Sequence, residues 1–365
     1  MTDFEILPSG APVPDERRAA LMATLGFGQV FTDHMVTVRY SAADGWHDGR
    51  LEPYGPFTLD PATAVFHYGQ EIFEGMKAYR QAGGTVALFR PEENAARFNR
   101  SARRMAMPEI PVETFVRALE LLVVQDSAWV PDRIGDSLYL RPMMIATQRG
   151  LGFTRPSEEY LFCVIACPAT AYFGATPRAL SVWLSEEYSR AAPGGTGAAK
   201  TGGNYGGAFL ASREAVTQGC DQVVWLDSAE HVWVEEMGGM NMFFVYGGPG
   251  GAPRVMTPAL TGTLLPGVTR DSLLSLAPQL GIAAEEGRIS TAQWRADCAS
   301  GALTEAFACG TAAVMAPIGT VRGERASWRI GDGEPGPITL ALREELLGIQ
   351  YGLRPDPFGW VHKVC

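Results

Sequence analysis

Gly194-Gly-Thr-Gly-Ala-Ala-Lys200-Thr-Gly-Gly-Asn-Tyr205 is the stretch on which the reading of this chain turns. The sequence holds only three lysines, Lys77, Lys200 and Lys363, against 27 arginines. Where arginine supplies nearly every generic positive charge, a surviving lysine marks chemistry that a guanidinium cannot perform, because arginine does not give up its proton. One reading of the loop is a phosphate cradle, G-x-x-x-x-G-K-[ST]. Gly194 and Thr201 fit it, but Ala199 precedes the lysine and no apolar strand runs into Gly194. A second reading is an amine that condenses with a planar aldehyde cofactor. Such an amine must shed its proton often enough to act as nucleophile and base. Flanking glycines let the backbone come close, since no Cβ intervenes, and Tyr205 offers a hydroxyl to the cofactor's phenolic oxygen. A flexible, glycine-rich surface loop with an exposed lysine is the third reading. The segment alone leaves the last two open.

The composition narrows the classes. At about 150 residues per domain, 365 residues predict two domains. Hydrophobic residues at 46% against 19% charged allow a substantial core. A net charge of -10 is the wrong sign for a nucleic-acid binder. No apolar run reaches the roughly 18 residues of a membrane span. The first residues lack a basic stretch leading into an apolar one, so no signal peptide is expected and the expected location is cytoplasmic. The six cysteines form no C-x-x-C pair and the five histidines are scattered, so no metal site is expected and the thiols are expected to be free and buried.

Along the chain, apolar alternation and turn residues predict strands over 34–40, 64–68, 85–89, 138–147 and 160–168. Pro91 opens a helix to about 107, and a 3.6-residue apolar period predicts another over 112–129. On the strand from Leu138, Tyr139, Arg141, Met143 and Ile145 share one face. The second half reads as strands over 179–184, 222–227, 231–235, 241–246, 283–290 and 303–309. Helices are predicted there over 204–217, 269–280, 291–299 and 337–350. The organisation expected is a smaller domain over 1–172, a linker over 173–178 and a larger domain over 179–365 that carries Lys200. The mixture is α/β with α+β character.

Gly197-Ala-Ala-Lys200-Thr-Gly-Gly-Asn-Tyr205 resembles the lysine motif of the branched-chain amino acid aminotransferases, pyridoxal-phosphate enzymes of fold type IV. The resemblance runs along almost the whole chain, in order. It is carried by Phe31-Thr-Asp-His-Met35, His67-Tyr68, Ile72-Phe-Glu-Gly-Met-Lys-Ala-Tyr79, Leu88-Phe-Arg-Pro91 and Leu138-Tyr-Leu-Arg-Pro142. Pro168-Ala-Thr-Ala-Tyr-Phe173, Glu235-Glu-Met-Gly-Gly-Met-Asn241, Leu265-Pro-Gly-Val-Thr-Arg-Asp271 and Glu305-Ala-Phe-Ala-Cys-Gly-Thr-Ala312 continue it. It implies a two-domain enzyme with pyridoxal 5'-phosphate between the domains. Lys200 is then the catalytic amine and proton carrier. Glu236 is the carboxylate at the ring nitrogen, while Glu235 is a strand-end residue facing the other way. Arg97, Val268, Thr269 and Thr311 take the phosphate, with Tyr205 at the phenolic oxygen.

For the substrate, the resemblance implies Thr311 and Ala312 at the α-carboxylate, with Tyr139 and Arg141 orienting that region. Phe27, Phe73, Tyr172 and Tyr205 line an apolar pocket. Tyr68 and the loop near Phe153 are contributed across a homodimer interface. Gly239 stands where some relatives carry threonine, and Ala313 and Ala316 stand where vertebrate relatives carry a redox cysteine pair. His67 is read as structural and Lys77 as a strand-edge charge. The implied reaction transfers an amino group from leucine, isoleucine or valine to 2-oxoglutarate. Fold type IV relatives acting on D-amino acids, aminodeoxychorismate or unusual 2-oxo acids stay open, as do an ATP-binding loop protein and a non-catalytic scaffold.

Overall fold

The computed structural model describes residues 3–152, 154–170, 177–247 and 251–365. Its strands begin with β1 (Phe4–Ile6), β2 (His34–Ser41), β3 (Gly45–Pro53), β4 (Glu71–Phe73), β5 (Met76–Arg80), β6 (Val86–Phe89), β7 (Ser137–Ala146) and β8 (Glu159–Ala169). They continue with β9 (Leu180–Ser185), β10 (Gln222–Leu226), β11 (Val234–Met237), β12 (Met240–Tyr246), β13 (Arg254–Pro258), β14 (Ala283–Gly287), β15 (Leu303–Gly310), β16 (Val314–Arg322), β17 (Ser327–Arg329) and β18 (Val361–Lys363). The helices are α1 (Asp15–Ala23), α2 (Ala64–Tyr68), α3 (Pro91–Arg104), α4 (Val112–Gln125), α5 (Gly203–Gly206), α6 (Phe209–Thr217), α7 (Val268–Leu276), α8 (Thr291–Ser300) and α9 (Pro337–Gln350).

The chain divides into two compact units. The first gathers Met1–Tyr172, Ala199–Gly202 and Gly348–Cys365; the second gathers Phe173–Ala198 and Gly203–Leu347. The first unit's sheet runs β1-β3-β2-β8-β7-β5-β6-β18, with β4 on β7. Its core is the helix-covered face: Phe98 of α3 and Phe115, Leu119 and Leu122 of α4 pack on Val36, Leu140 and Phe162. β8 is apolar on both faces and almost wholly buried, as the continuous run from Tyr160 predicts. The opposite face carries a smaller group in which Phe27 and Phe31 pack on Tyr139, Cys167 and Ala169.

The second unit's sheet runs β11-β10-β9-β16-β15-β12-β13-β14, with β17 on β16. A further pairing of β11 with β12 closes a ring of six strands. That pairing sets Glu236 opposite Asn241, and the β12–β15 pairing sets Asn241 opposite Cys309.

Three expectations from local pattern are corrected. Residues 64–68 form α2, not a strand. None of its five side chains is buried, so no sheet recruits them, and Gly69 at φ 59° caps the turn through its N–H to Val65 O. The strand expected over 231–235 starts at Val234, because the Asp227 carboxylate gathers the backbone N–H groups of Ala229, Glu230, Val232 and Trp233 into a turn. The helix expected over 204–217 breaks into α5 and α6 at Gly206-Gly207. The thiols are free, and Cys163, Cys167, Cys220 and Cys309 are buried as expected, but Cys298 is half-buried and Cys365, the last residue, is exposed.

Candidate active site

In the first unit, Lys200 sits in a tied segment rather than a mobile loop. Its backbone N–H donates to Ser101 Oγ at 2.9 Å, and its carbonyl accepts from Phe73 N–H at 3.0 Å. Two residues on, Gly202 N–H donates to the Glu71 carboxylate, which also takes Thr201 Oγ1 at 3.2 Å. Burial pushes the Glu71 carboxyl up, with these hydrogen bonds and Arg141 pulling the other way. A Cβ on Gly202 would run into that carboxylate. The glycine therefore admits a protein carboxylate, where the sequence suggested it admits a cofactor. Lys200 Nζ lies 5.1 Å from the centre of the Phe73 ring.

Helix α3 supplies a polar stripe through its own periodicity. Asn94, Arg97 and Ser101 are spaced for one face, while Ala95, Phe98 and Ala102 turn into the core. Arg97 is 4% exposed and makes a two-pronged pair with the fully buried Glu74, Nε to Oε1 at 2.7 Å and Nη2 to Oε2 at 2.8 Å. Asn94 Nδ2 adds a third bond to Glu74 Oε2 at 2.8 Å. Burial alone would raise the Glu74 carboxyl, but Arg97, with Lys200 and Asn94 behind it, outweighs burial and holds it below the ordinary value of 4.5. Arg100, Arg103 and Arg104 face outward.

The sheet face opposite the helices groups four of the expected substrate residues. Arg141 Nη2 donates to Tyr139 Oη at 2.9 Å, and its guanidinium lies 4.7 Å from the Phe73 ring centre. The Phe27 ring meets Tyr139 edge-on at 4.9 Å. Gly75 is forced by this packing, since a Cβ there would land on the Tyr139 hydroxyl. Arg141 Nε is buried and has no hydrogen-bond partner among the described residues. Lys77 is corrected here: it is 5% exposed on β5, between β7 and β6, directly across from Tyr139. It is an interior lysine, since a strand-like run carries no information about sheet order. Tyr68 is 41% exposed and donates its hydroxyl to Leu151 O. His67 Nε2 pairs with Pro61 O at 2.8 Å. Phe153 and Tyr172 lie outside the described residues.

In the second unit, Glu236 is 2% exposed on β11. Its Oε1 accepts from Leu265 N–H at 2.6 Å and from Asn241 Nδ2 at 3.3 Å, and its Oε2 lies 3.1 Å from Arg190 Nε. Asn241 Nδ2 also holds Leu265 O at 3.0 Å, which docks the turn leading into α7. Val268 and Thr269 are the first two residues of α7, both buried, behind Gly267 with no side-chain cap. Their backbone N–H groups have no acceptor within the helix, so that end suits an anion. Thr311 and Ala312 occupy the turn between β15 and β16, closed by the Gly310–Val314 pair. Val314 holds φ 60°, a strained conformation for a β-branched residue. Tyr205, on α5, lies against Gly239, where a Cβ would come within 3.2 Å of its ring. Glu235 is the second residue of β11. It is 6% exposed and accepts from Thr263 Oγ1.

Sequence reasoning missed Glu74, Asn241, Glu71 and Arg190. The 94/97/101 stripe on α3 was the one available signal that a buried polar partner faced that helix.

Two units so built, one with a tethered lysine and one with a buried carboxylate beside a helix start, fit the family found by comparison. A family model described as Amino-transferase class IV matches residues 71–321, and the chain belongs to that family. Within it, the chain groups with the branched-chain-amino-acid aminotransferases. It is 57% identical over 363 residues to a probable branched-chain-amino-acid aminotransferase of Streptomyces coelicolor, covering 99% of each chain. It is 53% identical over 363 residues to the branched-chain-amino-acid aminotransferase of Mycolicibacterium smegmatis, covering 99% of this chain and 98% of that one. Among solved structures, the Escherichia coli branched-chain amino acid aminotransferase superposes with a TM-score of 0.76 at 27% identity, covering 91% of this chain and 99% of the other. The branched-chain amino acid aminotransferase of Thermobaculum terrenum, in its PLP-form, gives 0.71 at 25% identity, covering 91% and 98%.

Proposed function

We propose that the protein transfers amino groups between leucine, isoleucine or valine and 2-oxoglutarate, with pyridoxal 5'-phosphate as cofactor. The observation that carries the reading is the seat of Lys200, tied through its own N–H and C=O. Its amine lies beside the Phe73 ring, which the Arg141 guanidinium also contacts while bonded to Tyr139. The residues fit the cofactor: a buried carboxylate for a ring nitrogen at Glu236, and an uncapped helix start at Val268 and Thr269 for a phosphate. When bound, the cofactor supplies an aldehyde carbon and a ring that accepts the electron pair left as the substrate Cα loses its proton.

Lys200 Nζ takes that proton from the substrate Cα and returns it to the cofactor side. Arg97, oriented by Glu74, binds phosphate together with Val268, Thr269 and Thr311. Tyr205 holds the phenolic oxygen. Thr311 and Ala312 bind the α-carboxylate. Phe27 and Phe73 exclude water around an aliphatic side chain, with Phe153, Tyr172 and Gly239 assigned to the same pocket by motif. The buried, unpartnered Nε of Arg141 suits the second carboxylate of glutamate.

The smaller and larger domains of the sequence reading are kept as this proposal's organisation with one correction, that Ala199–Gly202, which carries Lys200, and Gly348–Cys365 gather with the first unit and not the second; the location proposed is cytoplasmic. No helix among the described residues is long and apolar enough to cross a membrane. A homodimer is part of the same reading. Phe66 and Leu151 are 60% and 63% exposed, and Tyr68 is bonded to Leu151 O, which leaves an apolar surface suited to a second copy.

A side-by-side rate panel tests the function: leucine, isoleucine, valine, D-alanine and aminodeoxychorismate as donors to 2-oxoglutarate. The three branched-chain donors are expected to lead, and a lead by either of the other two contradicts the proposal. Arg141→Met should raise KM for glutamate far more than for leucine; equal effects remove Arg141 from the second-carboxylate role. Phe66→Glu should yield monomers by sedimentation.

A further inference from the structure

Arg190 is a cation with a buried side chain that no step above uses. Its side chain is 7% exposed. Its Nη2 donates to Gly197 O at 3.2 Å and to Thr263 O, and its Nε lies 3.1 Å from Glu236 Oε2. The two carbonyls satisfy donors but do not balance a full charge. Two neighbouring carboxyls are candidates for that balance, Glu235 and Glu236.

Their surroundings differ. Glu236 is held at Oε1 by Leu265 N–H and Asn241 Nδ2 and at Oε2 by the Arg190 charge. Each of these contacts favours an ionised carboxylate. Glu235 has one partner, the Thr263 hydroxyl, and its Oε2 is buried with none among the described residues. Burial pushes the Glu235 carboxyl up, against the Thr263 bond and the Arg190 charge. Glu236 also acts on the Cys309 thiol, which burial pushes up.

A carboxylate this deeply buried, without a counter-charge, takes up a proton rather than remain charged. Facing a protonated ring nitrogen, it would take that proton, and the ring would lose its pull on electrons. Given a cofactor nitrogen bound at Glu236 as proposed above, we infer that Arg190 is the positioning residue that keeps Glu236 ionised and so keeps the proton on that nitrogen. Glu235 stands beside it, held by the Thr263 hydroxyl, and does not share that role.

The experiment loads wild type, Arg190→Met, Arg190→Gln, Arg190→Lys and Glu235→Gln with cofactor labelled with ¹⁵N in the ring. The ring-nitrogen chemical shift is recorded alongside cofactor affinity, kcat and KM for leucine, and thermal melting. Wild type and Arg190→Lys should show a protonated nitrogen. The uncharged Arg190 variants should show an unprotonated one. Their kcat should fall roughly 10- to 100-fold, one to two pK units' worth of proton preference, with KM for leucine little changed. Arg190→Gln decides if Arg190→Met does not fold. Glu235→Gln should leave the nitrogen signal and kcat as in wild type. A folded, uncharged Arg190 variant that keeps a protonated nitrogen and wild-type kcat overturns the inference, as does a nitrogen shift in Glu235→Gln. A wild type that takes up no cofactor would instead strike at the proposed function itself, so the two failures are told apart.

Discussion

Glu74→Gln removes one charge from the first unit and leaves the shape of the side chain intact. In the wild type, Glu74 takes both prongs of Arg97 and the Asn94 amide with no solvent exposure. The variant strands the Arg97 guanidinium without its counter-charge. Breaking a buried pair from one side costs about 3–5 kcal/mol. Glutamine keeps one acceptor oxygen, so the lower end, about 3 kcal/mol, is expected. For a domain of this size that corresponds to a melting shift of about 6–12 °C. The pH dependence has a fixed sign. The Glu74 carboxyl is held below its ordinary 4.5 in the folded chain. Its contribution is therefore complete above pH 4.5 and is lost as pH falls through the lower folded value. The gap between wild type and Glu74→Gln should be widest near neutrality and shrink below pH 4.5. Cofactor titration should show weaker binding in the variant, because Arg97 loses the partner that fixes its plane. Equal melting temperatures at neutral pH, or a gap that does not narrow in acid, would refute this account of the pair.

Gly75→Ala should displace Tyr139, because the new methyl group meets its hydroxyl, and with it the Arg141 bond. Overpacking of this kind costs about 1–3 kcal/mol, and KM for the amino donor should rise about tenfold; unchanged KM removes Tyr139 from substrate orientation. Thiol labelling at pH 8 should find one fast cysteine, the exposed Cys365. Cys163 is buried and its thiol is pushed up to about 12, as is that of Cys298, by burial and then Asp297, so both should label only on unfolding. A fast Cys163 or Cys167 in the native protein would contradict the packing of β8.

Motif and periodicity made Lys200, Glu236 and the helices α3 and α4 legible, because each is announced by its neighbours in sequence. What holds them was not. Glu74 lies 23 residues from Arg97, and Glu236 lies 29 residues from Leu265. Such pairs are made by strand order and helix docking, which no local pattern encodes. Lys77 shows the same limit, since a lysine in an alternating strand looks alike at an edge and in the interior. The α2 segment fails in the other direction. Its apolar residues read as strand, but none is buried, and a left-handed glycine settles the matter locally. β18 pairs with β6 across most of the chain, and nothing in Val361–Lys363 foretells it.

The most direct measurement concerns where the cofactor attaches. The cofactor-loaded protein is reduced with borohydride, digested and read by peptide mass spectrometry. With three lysines in the chain, the outcome is unambiguous. The pyridoxyl mass should sit on the peptide containing Lys200 and be missing from Lys200→Ala. A label on Lys77 or Lys363, or none on a protein that transfers amino groups, would contradict the central claim.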